Sequence, residues 1–143
     1  MFTNKNMNHA IVMAKLALTL DEVPVGAVIV DPENNAIIAK AHNLVEKNKS
    51  PLAHAEMLVI EAACKAKQSK TLSGLDLYIT LQPCAMCFQA IIYSKIRRIY
   101  FGAYDLSSAL NLSAANHYPE IYGGISEQEC KSLLDEFFNS KRK

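Results

Sequence analysis

The pattern of hydrophobic and polar positions divides the chain into segments with helical and with strand-like periodicity. Near the start, polar residues recur at spacings of seven, four and three, at Asn8, Lys15, Thr19 and Glu22. Such spacing is one stripe of an amphipathic helix. Lys15 interrupts the apolar run, and Asp21-Glu22 stand where a signal peptide would need small residues. A helix packed on a core is therefore predicted here.

Short apolar runs bounded by turn residues predict the strands. VPVGAVIVD and AIIAKAHN are joined by the turn PENN, so they are expected to pair as a hairpin. Three later runs are also strand-like, namely LDLYITL, RRIYFGAYD and the short YPEIYGG. The polar segment LVEKNKSP is predicted to be a loop.

Three further segments have helical patterns. The helix containing LAHAEMLVIEAACKAK is expected to start at Ser50-Pro51, with the serine as cap and the proline in the first turn. CAMCFQAIIYS is a second helix, and SEQECKSLLDEFFNSKRK begins with a capping-box pattern of Ser126 and Glu129. Strands alternating with helices after an opening hairpin predict one α/β domain over residues 1–143. Its mixed sheet is expected to be covered by helices on both faces.

Composition and charge are those of a soluble globular protein. Half of the 143 residues are hydrophobic, a fifth are charged, and the net charge is +1. A protein that coats nucleic acid would be more basic, so any binding of nucleic acid must come from a local patch. No apolar run reaches the length of about 18 residues that a membrane span needs, so no membrane association is expected. We expect a cytoplasmic protein, in which neighbouring cysteines indicate metal or redox chemistry rather than disulfides.

Cys84 and Cys87 stand three residues apart at a predicted helix start. Both thiols lie on one helix face, and the helix N-terminus favours their ionised form, which suits zinc. The pair alone leaves a thioredoxin-like redox pair and simple packing open as alternatives. Cys64 and Cys130 each stand alone in a helical segment and are interpreted as packing residues.

The segment PLAHAEML offers a third metal ligand. His54 precedes Cys84 by thirty residues, an interval of one helix and one strand that can bring the two helix starts to the same sheet edge. Two cysteines and one histidine leave a fourth position for water, as in catalytic zinc sites. Glu56 lies about 200° around the helix from His54, yet both can point into a pocket off the helix end. There Glu56 would carry protons; in isolation, either residue would more often be ordinary surface.

HAE followed by PCAMC matches the His-x-Glu and Pro-Cys-x-x-Cys signature of the zinc-dependent nucleobase deaminases. The match extends along nearly the whole chain, through EVPVGAVIV, AHN, LAHAEM, TLQPCAMC, RIYFGAYD, NHYPEI and LLDEFF. In order and spacing these motifs resemble the bacterial tRNA-specific adenosine deaminases of the TadA type. That resemblance implies a cytidine deaminase-like, three-layer α/β/α fold with a five-stranded sheet, a homodimer and one zinc ion per subunit. It also implies hydrolysis of adenosine to inosine at the wobble position of a tRNA anticodon loop.

The resemblance also assigns roles to individual residues. His54, Cys84 and Cys87 would bind zinc, and Glu56 would be the general acid and base. The remaining assignments concern the substrate: Asn43 would hydrogen-bond the target base, Val25 would line its pocket, and Asp105 would lie near the nucleotide backbone. The chain departs from the family at Gln82, where glutamate is usual, at Tyr104, where arginine is often found, and in a shorter loop after Asp105.

An anticodon substrate would also need a basic rim around the site. The candidates are Lys47, Lys49, Lys65, Lys67, Lys70, Arg97, Arg98 and the basic tail Lys141-Arg142-Lys143. We interpret most of them as solvated charges and expect the basic tail, after Phe137-Phe138, to grip phosphate. His117, after Asn116, is a further candidate for RNA contact.

Two other functions remain open from the sequence. One is a deaminase of a free base or nucleoside, such as cytosine or guanine, which the near-neutral charge and Gln82 favour. The other is a zinc-stabilised interaction module without catalysis. An intact Glu56 argues against that module, because a structural metal does not need it.

Overall fold

The structure is a computed structural model that describes residues 2–107 and 118–142. In chain order, its helices and strands are α1 Phe2–Thr19, β1 Gly26–Asp31, β2 Ala36–His42, α2 Val45–Asn48, α3 Ala55–Lys67, β3 Asp76–Leu81, α4 Ala85–Tyr93, β4 Arg98–Ala103, β5 Glu120–Tyr122 and α5 Glu127–Lys141. Every strand predicted from the sequence is confirmed, including the short YPEIYGG strand.

The strands described form one mixed five-stranded sheet in the order β2-β1-β3-β4-β5. Strand β1 is antiparallel to both β2 and β3, whereas β3, β4 and β5 run parallel. The predicted hairpin is thus the β1–β2 pair, with Gly26 opposite His42. The antiparallel pairing places the start of β1 and the ends of β2, β3 and β4 at one edge of the sheet.

Helices cover the sheet on both faces, as predicted. On one face, α3 and α4 pack over a core cluster that includes Ala27, Ile29 and Ile79. On the other face, α1 and α5 pack over a second cluster that includes Val28 and Val30. Successive residues of β1 therefore point into opposite cores, which explains why this strand is a continuous apolar run rather than an alternating one. The predicted three-layer α/β/α fold is confirmed.

Helix α1 lies so close to β1 that Gly26 has no room for a side chain. A Cβ atom there would overlap the carbonyl oxygen of Ala10 and stand 2.5 Å from the backbone nitrogen of Ala14. This close approach fixes α1 against the start of β1.

Helix α1 ends in a Schellman motif. The backbone N–H of Glu22 donates to the carbonyl of Ala17 at 3.0 Å, and that of Asp21 donates to Leu18 at 3.1 Å. Asp21 adopts the left-handed conformation that this motif requires, with φ 59°. The helix thus stops before Glu22, which is only 1% exposed. The prediction that Glu22 continues the exposed stripe of Asn8, Lys15 and Thr19 is wrong.

Two predicted helix starts also need correction. Helix α3 begins at Ala55 rather than at Ser50-Pro51, because Ser50 instead closes a turn by accepting the Leu52 N–H at 3.2 Å. The segment LVEKNKSP, predicted to be a loop, contains α2. Ser126 does precede α5, but it is left-handed with φ 54° and makes no side-chain capping bond in the described part of the chain, so the predicted capping box is absent.

Within residues 2–107 and 118–142, no helix combines the length and the apolar character needed to cross a membrane.

Candidate metal and active site

Two helix N-termini meet at the sheet edge where β1 begins and β3 ends. His54 is the residue that precedes α3, and Cys84 is the residue that precedes α4; both have extended backbones. Cys87 lies in the first turn of α4. The expectation that one helix and one strand bring these two starts together is therefore correct.

The three side chains converge on one point. The Nδ1 atom of His54 is 3.7 Å from the Sγ atom of Cys84 and 3.4 Å from that of Cys87. All three potential ligand atoms lie within 4.8 Å of one another. Among the residues described, they form the only such group of histidine, cysteine and acidic side chains.

The dimensions of this group fit zinc. With bonds of about 2.3 Å to sulfur and about 2.0–2.1 Å to nitrogen, a tetrahedral ion holds its sulfur and nitrogen ligands about 3.6 Å apart. The distances of 3.4 and 3.7 Å lie on either side of this value. We therefore interpret them as distances between ligands of one ion rather than as hydrogen bonds. Three protein ligands leave a fourth position open, as in catalytic sites.

Burial sets the protonation of the ligands. It lowers the pKa of His54, which favours the neutral imidazole that a metal needs. It raises the pKa of the Cys87 thiol far above its ordinary value, and the nearby carboxyl of Glu56 adds to that rise. The favourable effect expected from the helix N-terminus is therefore outweighed at Cys87 by burial. A bound dication is the counter-charge that ionises a coordinating thiol outright.

Glu56 is a buried carboxyl beside the three potential metal ligands. It lies in the first turn of α3 and is 4% exposed. Burial raises the pKa of Glu56 to about 7, against the opposing effect of hydrogen bonds from the backbone and from Cys87. A carboxyl with a pKa near neutrality both accepts and returns protons at physiological pH, as a general acid and base must.

One cavity of about 370 Å³ joins these residues, and its size is ordinary for a small-ligand site. Six of the seven residues chosen from the sequence line it: Val25, Asn43, His54, Glu56, Cys84 and Asp105. The seventh, Cys87, is fully buried behind the wall. Several lining residues had no site role in the sequence analysis: Glu22, Val23, Val45, Glu46, Leu81 and Phe137. Only their place in or near the motifs EVPVG, AHN, TLQPCAMC and LLDEFF could have indicated them.

The amide of Asn43 is oriented by the start of α3. Its Oδ1 atom accepts a hydrogen bond of 2.8 Å from the backbone N–H of Ala55. Because the oxygen is used in this way, the amide nitrogen is the group left to donate to a ligand in the cavity.

Gln82 orients the chain that leaves β4. Its Oε1 atom accepts the backbone N–H of Asp105 at 3.0 Å, and the side chain is 7% exposed. Asp105 in turn accepts hydrogen bonds from the backbone and the hydroxyl of Ser107, at 3.0 and 2.6 Å. The amide oxygen at position 82 thus holds the backbone that follows β4 at the edge of the cavity.

Helix α5 closes one side of the cavity with Phe137, which is 8% exposed. Lys141 lies 5.5 Å from the centre of that ring and 2.7 Å from the Asp21 carboxylate. The first cation of the basic tail is therefore already paired within the chain. Arg142 is exposed, whereas Lys143, Asn116 and His117 lie outside the described residues.

Most other basic candidates are not placed to form a rim. Arg97 makes a two-pronged ion pair with Asp76, and Arg98 pairs with Glu120. Arg97 directly precedes β4 and Arg98 is its first residue, so both candidates lie at the opposite end of the strand from Asp105 and do not contribute to a rim around the site. Lys47 follows Glu46, a residue of the cavity wall, and remains a candidate.

Comparisons with known proteins agree with this geometry. The family model for the cytidine and deoxycytidylate deaminase zinc-binding region matches residues 2–103. The tRNA-specific adenosine deaminase of Bacillus subtilis strain 168 is 44% identical, over 96% of this chain and 89% of that protein. That of Rickettsia bellii is 42% identical, over 95% of this chain and 99% of that protein.

Solved structures extend the comparison. A structure from a study of A-to-I editing by tRNA:A34 deaminases at the wobble position of transfer RNA superposes with a TM-score of 0.84. It is 38% identical and covers 91% of this chain and 99% of its own. The guanine deaminase of Bacillus subtilis is less similar, with a TM-score of 0.66 and 32% identity over 70% of this chain and 63% of its own. The chain therefore belongs to the cytidine and deoxycytidylate deaminase zinc-binding family, and within it to the tRNA-specific adenosine deaminases.

Proposed function

We propose that this protein hydrolyses adenosine to inosine at the wobble position of a tRNA anticodon, with His54, Cys84 and Cys87 as zinc ligands and Glu56 as the general acid and base. The observation that carries the proposal is the shared cavity. His54, Cys84 and the buried carboxyl of Glu56, whose pKa is about 7, line the same cavity of about 370 Å³, and the Cys87 thiol lies within 4.8 Å of the other two potential ligand atoms.

The chemistry divides between the metal and the protein. When bound by His54, Cys84 and Cys87, zinc supplies a water that is nucleophilic at neutral pH. Glu56 takes a proton from the attacking water and delivers it to the adjacent ring nitrogen of the purine. It then carries a proton to the exocyclic amine, whose bond to the ring carbon breaks as ammonia leaves. One water is consumed, and the ring carbon ends as the carbonyl of inosine.

Three residues are proposed to position the nucleotide. The free amide nitrogen of Asn43 donates to an acceptor atom of the target base. Val25, which is 4% exposed, supplies an apolar contact at the cavity wall. Asp105, at the end of β4, lies near the sugar-phosphate backbone on this proposal.

A deaminase of a free base is the second candidate, supported by the resemblance to the Bacillus subtilis guanine deaminase. The tRNA-specific relatives are more similar over more of the chain, and so favour the first candidate. The two candidate functions use the same proposed metal ligands and the same carboxyl and differ only in the substrate. Activity measured on several substrates therefore distinguishes them.

We further propose that residues 1–143 form a single domain that works as a homodimer in the cytoplasm. Apolar side chains near the starts and ends of the metal-binding helices support a partner, since Leu52 is 56% and Tyr93 is 78% exposed. Two thiol ligands also need a reducing compartment. Light scattering during gel filtration tests the assembly: a dimer mass is expected, and a monomer mass at micromolar concentration would contradict it.

The substrate experiment compares four molecules at equal concentration: an anticodon stem-loop with adenosine at the wobble position, free adenosine, cytosine and guanine. Inosine is expected in the stem-loop, with little or no product from the free compounds. A stem-loop with adenosine moved one position along the loop is the matched control and is expected to react poorly. Deamination of guanine or cytosine in place of the stem-loop would transfer the proposal to the second candidate.

A further inference from the structure

Glu22 is a buried carboxylate beside the cavity that the proposed chemistry does not use. It is 1% exposed and belongs to the cavity wall. One of its oxygens accepts the backbone N–H of Glu46 at 3.0 Å, and the other accepts that of Lys47 at 2.8 Å. Both oxygens are thus engaged by consecutive main-chain donors in α2, twenty-four and twenty-five residues further along the chain.

Helix α2 has few other contacts that could hold it. It comprises the four residues Val45–Asn48, none of which is fully buried. Leu44, the residue before the helix, makes no side-chain capping hydrogen bond to the described residues. A single helical turn is not stable by itself, and its first N–H groups need acceptors. The carboxylate of Glu22 supplies two of them with charge-assisted hydrogen bonds, which are the stronger kind.

Glu22 is itself held firmly. The Schellman motif at the end of α1 fixes its backbone through the bond from its N–H to Ala17, and α1 is locked to β1 by the close approach at Gly26. The firmly packed end of α1 therefore presents the Glu22 carboxylate to α2, a short helix with few other contacts.

We propose that Glu22 is a positioning residue that fixes α2 as a wall of the substrate cavity. The proposal rests on the proposed function of the site. Val45 and Glu46 of this helix line the cavity next to Asn43, and Lys47 follows them. The proposed metal ligands and Glu56 stand at the starts of α3 and α4, and neither of these two bonds involves them. Loss of the bonds therefore changes how substrate is held and leaves the proton-transfer group in place.

The test substitutes Glu22→Gln, in which one amide oxygen can still accept but the NH₂ group faces the second N–H donor. Glu33→Gln in the exposed β1–β2 turn is the matched control. We expect the amides of Glu46 and Lys47 to exchange with solvent about tenfold faster in Glu22→Gln than in wild type, while amides of α3 are unchanged. Zinc content is expected to stay at the wild-type level.

Kinetics on the anticodon stem-loop provide the functional readout. KM is expected to rise about tenfold in Glu22→Gln with kcat within about threefold of wild type, and to rise further in Glu22→Ala, which removes both acceptors. Wild-type amide exchange and KM in Glu22→Gln would overturn the proposal. So would loss of zinc, global unfolding, or a fall in kcat alone, since each would give Glu22 a wider or different role. The exchange measurement needs no substrate, so it tests Glu22 even if wild type makes no inosine, a result that would contradict the proposed function instead.

Discussion

The side-chain oxygen of Asn43 accepts a hydrogen bond of 2.8 Å from the backbone N–H of Ala55, and this bond joins the end of β2 to the start of α3. Ala55 stands between His54 and Glu56. A single bond therefore ties the amide proposed to contact the base to the residues proposed to bind metal and transfer protons. It also orients the amide nitrogen of Asn43, the donor of this side chain, for the substrate.

Asn43→Asp tests that division of roles. An aspartate keeps the acceptor for Ala55 but replaces the donor with a second oxygen, so fold and zinc content are expected to persist. The value of kcat/KM on the stem-loop is expected to fall by about ten- to a hundredfold, because a donor to the base is lost. Asn34→Asp is the matched control, since Asn34 makes the same kind of bond to Ala36 in an exposed turn. Wild-type kcat/KM in Asn43→Asp would show that the amide nitrogen does not contact the base.

Metal binding is expected to depend on three side chains. His54→Ala, Cys84→Ala and Cys87→Ala should each reduce zinc from about one ion per chain to a small fraction, as measured by elemental analysis after gel filtration. Cys64→Ala is the control, because Cys64 is a free thiol outside the cluster and should keep full zinc. If all three single variants retained full zinc, the assignment of the ligands would be wrong.

Close packing at Gly26 predicts a large loss of stability in Gly26→Ala. The added methyl group would overlap backbone atoms of α1, which cannot move without repacking the core. We expect the free energy of unfolding to fall by about 1–3 kcal/mol or more, measured by urea denaturation. Gly74→Ala is a useful comparison, because it meets no described atom within 4 Å and suffers only from its φ of +82°. Its expected cost is about 1–2 kcal/mol. A smaller loss for Gly26→Ala than for Gly74→Ala would contradict the packing explanation.

The strands, the helices on both faces of the sheet and the seven site residues chosen above could be predicted from the sequence. Apolar runs between turn signals report strands directly. The convergence of the three proposed metal ligands could be predicted from their spacing, because Cys84, Cys87 and His54 all stand at helix starts that one helix and one strand separate. Asn43 and Val25 could be found only through the family motifs, since a lone asparagine or valine carries no chemical signature.

Other features depend on contacts that no local pattern reports. The polar spacing of α1 extends to Glu22 in the sequence although the helix ends before it, because the left-handed residue that stops this helix is Asp21 rather than the glycine that usually marks such a stop. Ser50 and Ser126 are good capping residues by type, but Ser50 is used in a turn and Ser126 is left-handed. Helix α2 was not predicted, because the acceptors for its first backbone N–H groups come from the distant Glu22 rather than from a capping residue in its own sequence.

The basic tail remains a prediction, now for Arg142 and Lys143 more than for the paired Lys141. Deletion of residues 142–143 should weaken stem-loop binding and reduce the slope of log affinity against log salt by up to about 1.4, the value for two phosphate contacts on a single strand. The matched control is Lys67→Ala with Lys70→Ala, which removes two positive charges at and just after the far end of α3, about 20 Å along the helix axis from its start at the cavity. Equal effects of the two variants would mean that only net charge matters.

The central claim is tested most directly by Glu56→Gln. Glutamine has nearly the same size as glutamate but cannot carry a proton, and Glu56 is not one of the three proposed ligands. We measure inosine formation on the stem-loop together with zinc content and RNA affinity for the same preparation. Zinc and affinity are expected to match wild type while the rate falls by at least about 10²–10⁴, the usual contribution of a positioned acid and base. Wild-type activity in Glu56→Gln, or loss of its zinc, would contradict this account of the site.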